Sequence, residues 1–253
     1  MSEGGKAVLL PHIQLPEDLG IPYAILPGDP ARVERVAAHL EQVEELAFNR
    51  EYRSVRGEYH GVPVLVMSTG MGGPSTAIAV EELRRAGVTA AIRIGSAGAL
   101  QPGIMLGDLV LVQGAVREEG TSLGYAPLSY PAIPDLGLLE ACIAGAKVLD
   151  VPYHVGIDRT HDCLYADGEQ RLDEEWSARG VAAADMETAV LFVVGAQRGV
   201  RTASILNVVA GYRDDVGVSI GRYASGEEAA ADGERREILT ALEALRIIAA
   251  DEQ

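Results

Sequence analysis

Cysteine and long hydrophobic runs are both scarce in this chain. The two cysteines, Cys142 and Cys163, cannot form a disulfide framework, and neither stands in a spacing typical of metal ligands. Residues 1–6 lack the apolar core of a signal peptide, and the apolar run at residues 7–10 is far too short to cross a bilayer. We therefore expect a protein of the reducing cytoplasm that does not enter a membrane.

Positive charge is also scarce. The 21 Lys and Arg residues are outnumbered by 37 Asp and Glu residues, which gives a net charge of −16 at pH 7. This excess argues against binding to nucleic acid or to an anionic membrane, because both need a broad positive field. Only Lys6 and Lys147 are lysines. Any cationic site should therefore consist of arginine guanidinium groups, which suit bidentate binding of carboxylate or phosphate.

No linker, low-complexity segment or internal repeat divides the 253 residues, and 48% of them are hydrophobic. These features predict one α/β domain over residues 1–253. The predicted strands are residues 23–26, 62–68, 90–94, 109–113, 153–157 and 202–209, and the predicted helices are residues 31–40, 75–86, 136–149, 168–179, 188–198 and 227–250. Their alternation predicts a three-layer α/β/α fold with a mixed central sheet. Strand-like segments between residues 43 and 68 predict hairpins at its edge.

Two glycine-containing turns, at residues 28–30 (GDP) and 72–75 (GGPS), precede predicted helices. Asp29 is a natural N-cap and Pro30 suits the first helical position. Each turn leaves backbone N–H groups free at the end of a strand, where α/β proteins commonly bind anions.

Three arginines and a serine are candidates for an anion site. Arg32 lies one turn into the first helix, Arg93 interrupts an apolar strand just before Ser96, and Arg50 ends an apolar stretch. Together they would form a phosphate pocket. Because a charge inside an apolar strand is costly unless it is paired, Arg93 faces either such a site or a core acid. Arg50 alone is more typical of a surface residue.

Asp185, Met186 and Glu187 lie where a small-residue strand meets a helix. The acids could accept hydrogen bonds from sugar hydroxyls beside the apolar Met186, or they could merely cap the helix. His12 on its own is typical of a surface residue. His161 and Asp162 resemble part of a Ser/His/Asp system, but no Gly-x-Ser-x-Gly motif accompanies them, so acyl hydrolysis is not expected.

In this order the motifs resemble the trimeric and hexameric nucleoside phosphorylases, a family that includes uridine phosphorylase and bacterial-type purine nucleoside phosphorylase. The resemblance rests on residues 26–32 (LPGDPAR), 68–75 (STGMGGPS), 92–98 (IRIGSAG) and 185–187 (DME). It extends from about residue 11 to the C-terminal helix. Residues 120–128 (GTSLGYAPL) look most like the uridine phosphorylase branch.

The resemblance implies a phosphorylase/hydrolase-like fold and the reversible conversion of a nucleoside and inorganic phosphate to free base and ribose 1-phosphate. It implies that Arg93 and Glu187 are catalytic and that no cofactor is required. The implied phosphate-binding residues are Gly28, Arg32, Arg50, Arg93 and Ser96, and the implied ribose-binding residues are His12, Met186 and Glu187. Arg50 and His12 would reach a neighbouring subunit's site.

Because each site would then need two subunits, the resemblance implies a dimer unit built into a hexamer. It also implies a possible K⁺ site at the dimer interface, formed by Glu51, the Met71 carbonyl and Ser75.

The base-binding residues depart from both branches of the family. The Ser-Asp pair of purine phosphorylases falls on Val209 and Ala210, so that acid is absent. The glutamine and arginine of uridine phosphorylases fall on Glu169 and Arg171, and a shift by one residue offers Gln170 instead. Leu164 takes the place of the usual stacking aromatic. Arg213, in a loop that could act as a lid, is a further candidate donor.

We therefore predict phosphorolysis of uridine or a related pyrimidine nucleoside. One alternative is a purine nucleoside phosphorylase in which Asp214 or Asp215 reaches the purine. Another is a nucleosidase that uses water, although it would not need Arg32 and Arg93 together. The third is a nucleoside-binding homologue with impaired catalysis.

Overall fold

A computed structural model describes residues 8–226 and 228–252. The predictions made for residues 1–7, and the first residue of the predicted helix 227–250, lie outside this range. Within the described residues, no helix is long and apolar enough to cross a membrane.

In the described residues, one mixed sheet contains all of the strands longer than an isolated bridge. The strands are β1 (Tyr23–Pro27), β2 (Glu41–Asn49), β3 (Tyr52–Tyr59), β4 (Val62–Met67), β5 (Ala90–Ala99), β6 (Leu109–Glu118), β7 (Tyr153–His161), β8 (Ala183–Asp185) and β9 (Arg201–Ala210). Their order is β2-β3-β4-β1-β5-β8-β7-β6-β9. A further parallel pairing of β5 with β9 closes the last five strands into a ring. The edge hairpins predicted from the sequence are β2–β3 and β3–β4, and both pairs are antiparallel.

Helices cover both faces of the sheet, as predicted. They are α1 (Pro30–Ala37), α2 (Gly73–Arg85), α3 (Leu136–Val148), α4 (Glu169–Ser177), α5 (Thr188–Arg198), α6 (Val216–Ala224) and α7 (Glu228–Asp251). Apolar residues of α2 and α5 form one buried cluster against the sheet. Those of α1, α3 and α7 form the other. The fold class predicted from the sequence is therefore confirmed.

The strands that were predicted from apolar runs are present, but several extend further than the runs. β5 continues through Ala99 and β7 through His161, so both carry polar residues beyond the apolar segments that identify them. Helix α6 was not predicted. Its sequence contains Gly217 and Gly221, which lower helix propensity, and it begins where Asp215 caps it by accepting a hydrogen bond from the Val218 N–H at 2.9 Å.

The two predicted turn motifs bring backbone N–H groups to one place. The Asp29 carboxylate accepts a hydrogen bond from the Ala31 N–H at 2.8 Å and caps α1. Gly72, with φ +87°, precedes α2. Gly28 and Gly70 pack closely, since a Cβ on Gly28 would lie 3.1 Å from the Gly70 carbonyl oxygen. β1 and β5 run parallel, so Gly28 lies at the same edge of the sheet as Ser96.

Candidate active site

A cavity of about 870 Å³ opens at this edge of the sheet. It lies where β1, β5, β8 and β9 meet α1, α6 and α7. Sequence analysis placed six of its lining residues in a phosphate or ribose site, and they are Gly28, Arg32, Arg93, Ser96, Met186 and Glu187. The structure thus brings together, in one concave site, residues that lie up to 159 positions apart in the sequence.

Of the arginines that line this cavity, Arg32 has the largest set of hydrogen-bond and ion-pair partners. Its Nη2 donates to Ser96 Oγ at 3.1 Å and to the Tyr223 hydroxyl at 2.7 Å. Its Nε donates to Glu234 at 2.9 Å, and Nη1 lies 3.1 Å from Glu237. Burial disfavours the charge of Arg32, but Glu237, Tyr223 and Glu234 more than offset that cost, so the pKa of Arg32 is raised. Arg32 is therefore a permanent, fixed positive charge.

Helix α7 supplies the carboxylates that balance this charge. Glu234 lines the cavity and contacts Arg32, Arg35 and the Tyr223 hydroxyl. Burial opposes ionisation of Glu234, but the two arginines and the tyrosine hydroxyl hold its pKa below the ordinary value. Burial also raises the pKa of Tyr223, to about 12, so Tyr223 remains a neutral donor.

Glu237 behaves differently from Glu234 because it is completely buried. Within the described residues, neither of its carboxyl oxygens accepts a hydrogen bond. Burial raises the pKa of Glu237 to about 8, although Arg32 opposes that shift. At neutral pH Glu237 is therefore mostly protonated, and Glu234 is the ionised acid that pairs with Arg32.

Arg93 lies on β5 between two acids of the β8–α5 junction. Its Nε donates to Asp185 Oδ2 at 3.0 Å, and its Nη2 lies 2.6 Å from Glu187 Oε2. Both interpretations of Arg93 from the sequence therefore hold in part, since it pairs with core acids and also lines the cavity. Gly95 makes room for it, because a Cβ there would lie 2.3 Å from Arg93 Nη2.

Asp185 and Glu187 have separate roles. Asp185 caps α5, accepting from the Thr188 N–H at 3.0 Å and from the Thr188 hydroxyl at 2.6 Å. Burial opposes its ionisation, but Arg93 and these hydrogen bonds lower the pKa of Asp185. Glu187 does not cap the helix with its side chain. Its Oε1 accepts from the Gly72 N–H at 2.5 Å, so the carboxylate is fixed at the cavity wall.

His12 and Arg50 do not line the cavity of their own chain. His12 Nδ1 lies 2.6 Å from Glu82, and 41% of its side chain is exposed. Arg50 is exposed, in the turn between β2 and β3, with φ +56°. Both side chains are therefore accessible from outside the chain.

Glu51, Met71 and Ser75 form a group of oxygen donors beside Gly70. Glu51 and Met71 line the cavity, and the Ser75 hydroxyl donates to the Met71 carbonyl at 3.1 Å. Glu51 Cγ and Ser75 Oγ would lie 2.7 and 3.3 Å from a Cβ on Gly70, so the three groups are close together. Carboxylate, carbonyl and hydroxyl oxygens suit a hard cation. Among residues 8–226 and 228–252, no cluster of His, Cys, Asp and Glu has the arrangement of a metal site.

A second cavity, of about 410 Å³, adjoins the first. Its walls contain four of the predicted base-binding residues, namely Leu164, Glu169, Gln170 and Arg213. Arg171, the fifth predicted base-binding residue, is not among the residues of these walls, and its contact with the base stays a prediction. Its side chain lies on the outer face of α4, is 73% exposed and pairs with Glu175 at 2.6 Å.

Asp214 and Asp215, considered from the sequence as proton donors to a purine, are both engaged with the backbone. Asp214 accepts from the Gly211 N–H at 3.1 Å, and Asp215 caps α6. They line the second cavity, but their carboxylates hold the loop that carries Arg213.

Sequence analysis missed an ion cluster behind the second cavity. Arg159 is 2% exposed, and its Nε donates to Glu118 at 2.6 Å. Its Nη1 donates to Glu169 at 2.5 Å and to Asp173 at 3.0 Å. His161, two residues further along β7, lines both cavities. The available signal was the run of polar residues 158–161, which follows the apolar part of β7.

This arrangement can hold three chemically different groups side by side. Arg32, Arg93, Ser96 and the N–H groups near Gly28 suit a tetrahedral anion. Glu187 accepts hydrogen bonds, as the hydroxyls of a sugar require. The second cavity, with Leu164 on one wall, suits a planar ring.

Comparison with known proteins agrees with this geometry. A family model described as the phosphorylase superfamily matches residues 22–245. Uridine phosphorylase of Thermococcus kodakarensis is 40% identical over 241 residues, which cover 90% of this chain and 82% of that protein. A guanosine phosphorylase of Halorubrum lacusprofundi is 40% identical over 198 residues, covering 78% of this chain and 82% of that protein. A crystal structure of uridine phosphorylase from Vibrio fischeri superposes with a TM-score of 0.88 and 41% identity, covering 97% of this chain and 100% of that one.

Proposed function

The chain belongs to the phosphorylase superfamily, and we propose that it cleaves a pyrimidine nucleoside, with uridine as the first candidate, by transfer of the ribosyl group to inorganic phosphate. The products are the free base and ribose 1-phosphate. The observation that carries this proposal is that Arg32, Arg93, Ser96 and Glu187 all line one cavity. Enzymes of this family act on nucleosides and phosphate and need no further cofactor.

Phosphate binds to Gly28, Arg32, Arg93 and Ser96, beneath the anomeric carbon of the ribose. The Glu187 carboxylate accepts hydrogen bonds from the 2′- and 3′-hydroxyls, and Met186 packs against the sugar. As the glycosidic bond breaks, positive charge develops on the ribose and negative charge on the base. Fixing the phosphate in line with this bond supplies much of the catalysis, since positioning and electrostatic stabilisation need no reorganisation of the site.

The acids around Arg32 are compatible with anion binding. Glu234 is ionised, but it also contacts Arg35, so two guanidinium groups share one carboxylate. Glu237 is mostly protonated at neutral pH, because its pKa lies at about 8. Three arginines and five acids line the cavity, so we attribute phosphate binding to direct hydrogen bonds from Arg32, Arg93 and Ser96 rather than to a positive net charge of the pocket.

Assembly into a dimer, repeated into a hexamer, is part of the same proposal. Arg50 and His12 are absent from the cavity of their own chain, and both side chains are accessible. In a dimer, Arg50 of one subunit would complete the phosphate site of the next, and His12 would bind its ribose 5′-hydroxyl. The grouping of Glu51, Met71 and Ser75 supports a K⁺ ion at that interface. A cytoplasmic protein of one domain is also part of the proposal, and the absence of a disulfide between Cys142 and Cys163 is compatible with that compartment.

The test is an assay of the purified protein with uridine in the presence and absence of phosphate. We expect release of uracil and formation of ribose 1-phosphate only with phosphate present. Equal uracil release without phosphate would identify a nucleosidase instead. Calorimetric binding of nucleosides without turnover would identify a binding protein.

Guanosine is the second candidate substrate. Glu169 stands where uridine phosphorylases have a glutamine, and a carboxylate offers acceptors only. Guanine presents two neighbouring N–H donors to such a group, whereas uracil presents one between two carbonyl oxygens. The relative kcat/KM values for guanosine, inosine and uridine separate these candidates.

A further inference from the structure

The two cavities of the site meet at a small group of residues. Five residues line both cavities, and they are Gly98, His161, Leu164, Ala210 and Val216. Among these five, only His161 has a polar side chain. A nucleoside that fills both cavities places its glycosidic bond at their junction, because this bond joins the sugar to the base. His161 is therefore the polar side chain that lines the junction of the two cavities.

The surroundings of His161 restrict the imidazole ring but leave its Nδ1 without a hydrogen bond among the described residues. The residue is 6% exposed, at the end of β7. Its Nδ1 lies 3.4 Å from Glu169 Oε1 and has no hydrogen-bond partner within the described residues. Glu169 itself is fixed by the buried Arg159 at 2.5 Å. A carboxylate at this distance can orient the imidazole by accepting a hydrogen bond from a ring N–H.

We propose that His161 is a catalytic residue that donates a proton to the departing base, with Glu169 orienting its ring. The inference rests on the proposed phosphorolysis. As the C1′–N bond breaks, its electron pair passes to the base, which takes a proton from His161. A phosphate oxygen forms the new bond to C1′, and the proton released by hydrogen phosphate restores His161. The overall reaction is then nucleoside and hydrogen phosphate to neutral base and ribose 1-phosphate.

His161 is thereby the proposed donor at the junction of the two cavities. Arg171 points away from the cavity, and Asp214 and Asp215 are held by the backbone. Gln170 and Arg213 line only the second cavity, away from the junction.

The test replaces His161 with asparagine, which retains a polar group but cannot deliver a proton. The matched control is His154→Asn, because His154 is on the same strand, outside both cavities, and pairs with Asp108 at 2.9 Å. We expect kcat for uridine to fall about 10²- to 10⁴-fold in the His161 variant, the usual range for loss of a general acid. The KM for phosphate should stay within about threefold, and the control should match the parent protein.

A second readout distinguishes proton donation from a structural role. Fluorine withdraws electrons from the base, so 5-fluorouracil leaves with less need for a proton. The ratio of kcat for 5-fluorouridine to kcat for uridine should therefore rise at least tenfold in the His161→Asn variant. Should that variant fail to fold by circular dichroism, His161→Gln takes its place.

Two results would overturn the inference while the proposed function stands, namely a kcat within threefold of the parent protein or an unchanged ratio. Absence of phosphate-dependent turnover in the parent protein, with uridine, inosine and guanosine alike, would overturn the proposed function itself.

Discussion

Replacing Glu237 with glutamine should stabilise the protein, and the gain should grow with pH. Glu237 is wholly buried on α7, and neither carboxyl oxygen accepts a hydrogen bond within the described residues. The groups that act on it are Arg32, Glu234 and Arg93, and burial outweighs the two arginines. Glutamine has almost the same shape and no charge, so it removes the ionisation without leaving a cavity.

The magnitude follows from the pKa. An ordinary glutamate ionises at 4.5, whereas Glu237 in the folded protein ionises at about 8. Between these values the folded state holds a proton that the unfolded state has released, so stability falls as pH rises. At about 1.4 kcal/mol for each pH unit, the loss is about 3 kcal/mol at pH 7 and about 5 kcal/mol above pH 8.

The assay is urea unfolding of the parent protein and the Glu237→Gln variant at pH 5, 7 and 9. We expect nearly equal free energies of unfolding at pH 5 and a higher value for the variant at pH 9. A matched control is Glu243→Gln, since Glu243 is also on α7 but pairs with Arg246 at 2.6 Å. If the difference between parent and Glu237→Gln does not increase with pH, the assigned ionisation of Glu237 is wrong.

Three further substitutions test the site and its packing. Arg93→Ala should cost about 3–5 kcal/mol of stability because it leaves the buried Asp185 and Glu187 without their paired cation. Arg93→Lys should keep the fold and raise the KM for phosphate. Equal unfolding midpoints for the two variants would contradict this. Glu187→Gln should lower kcat/KM for uridine about 10- to 100-fold, which corresponds to the loss of a hydrogen bond to a charged group. The decrease in kcat/KM for 2′-deoxyuridine should be smaller, and an equal decrease for both nucleosides would argue against hydroxyl binding by Glu187. Gly233→Ala should lower the midpoint of thermal unfolding although alanine has the better helix propensity, because the added Cβ would lie 2.0 Å from Asn207 Oδ1 and 2.7 Å from Gly107 Cα. The control is Gly221→Ala, whose added Cβ would have no neighbouring atom within 4 Å.

The alternation of apolar strands and helices was predictable because each element buries one continuous apolar surface. The grouping of Gly28, Arg32, Arg93 and Glu187 in one cavity was predictable for a different reason. Gly28, Arg32, Arg93 and Glu187 stand in local motifs whose turn chemistry and spacing are visible in the sequence.

Long-range pairs of charges were not predictable. Arg32 and Glu234 are 202 residues apart, and nothing local shows that the acids of α7 face inward. An acidic helix such as α7 is more typical of a solvated surface. The outward direction of the Arg171 side chain was not predictable from the motif alone. Residues two positions apart on an α-helix project from nearly opposite faces, so Glu169 of α4 faces the cavity and Arg171 faces outward.

The division of the site between strands has a consequence for how such an enzyme can change. In the proposed function, anion and sugar recognition come from β1, β5 and the β8–α5 junction, whereas the base would meet β7, α4 and the segment before α6. Natural variation or engineering confined to base-side residues other than His161 and Glu169 can alter which heterocycle is accepted while the proposed bond-making chemistry stays intact. Libraries that randomise Leu164, Gln170 and Arg213 together would explore that freedom at little risk to turnover.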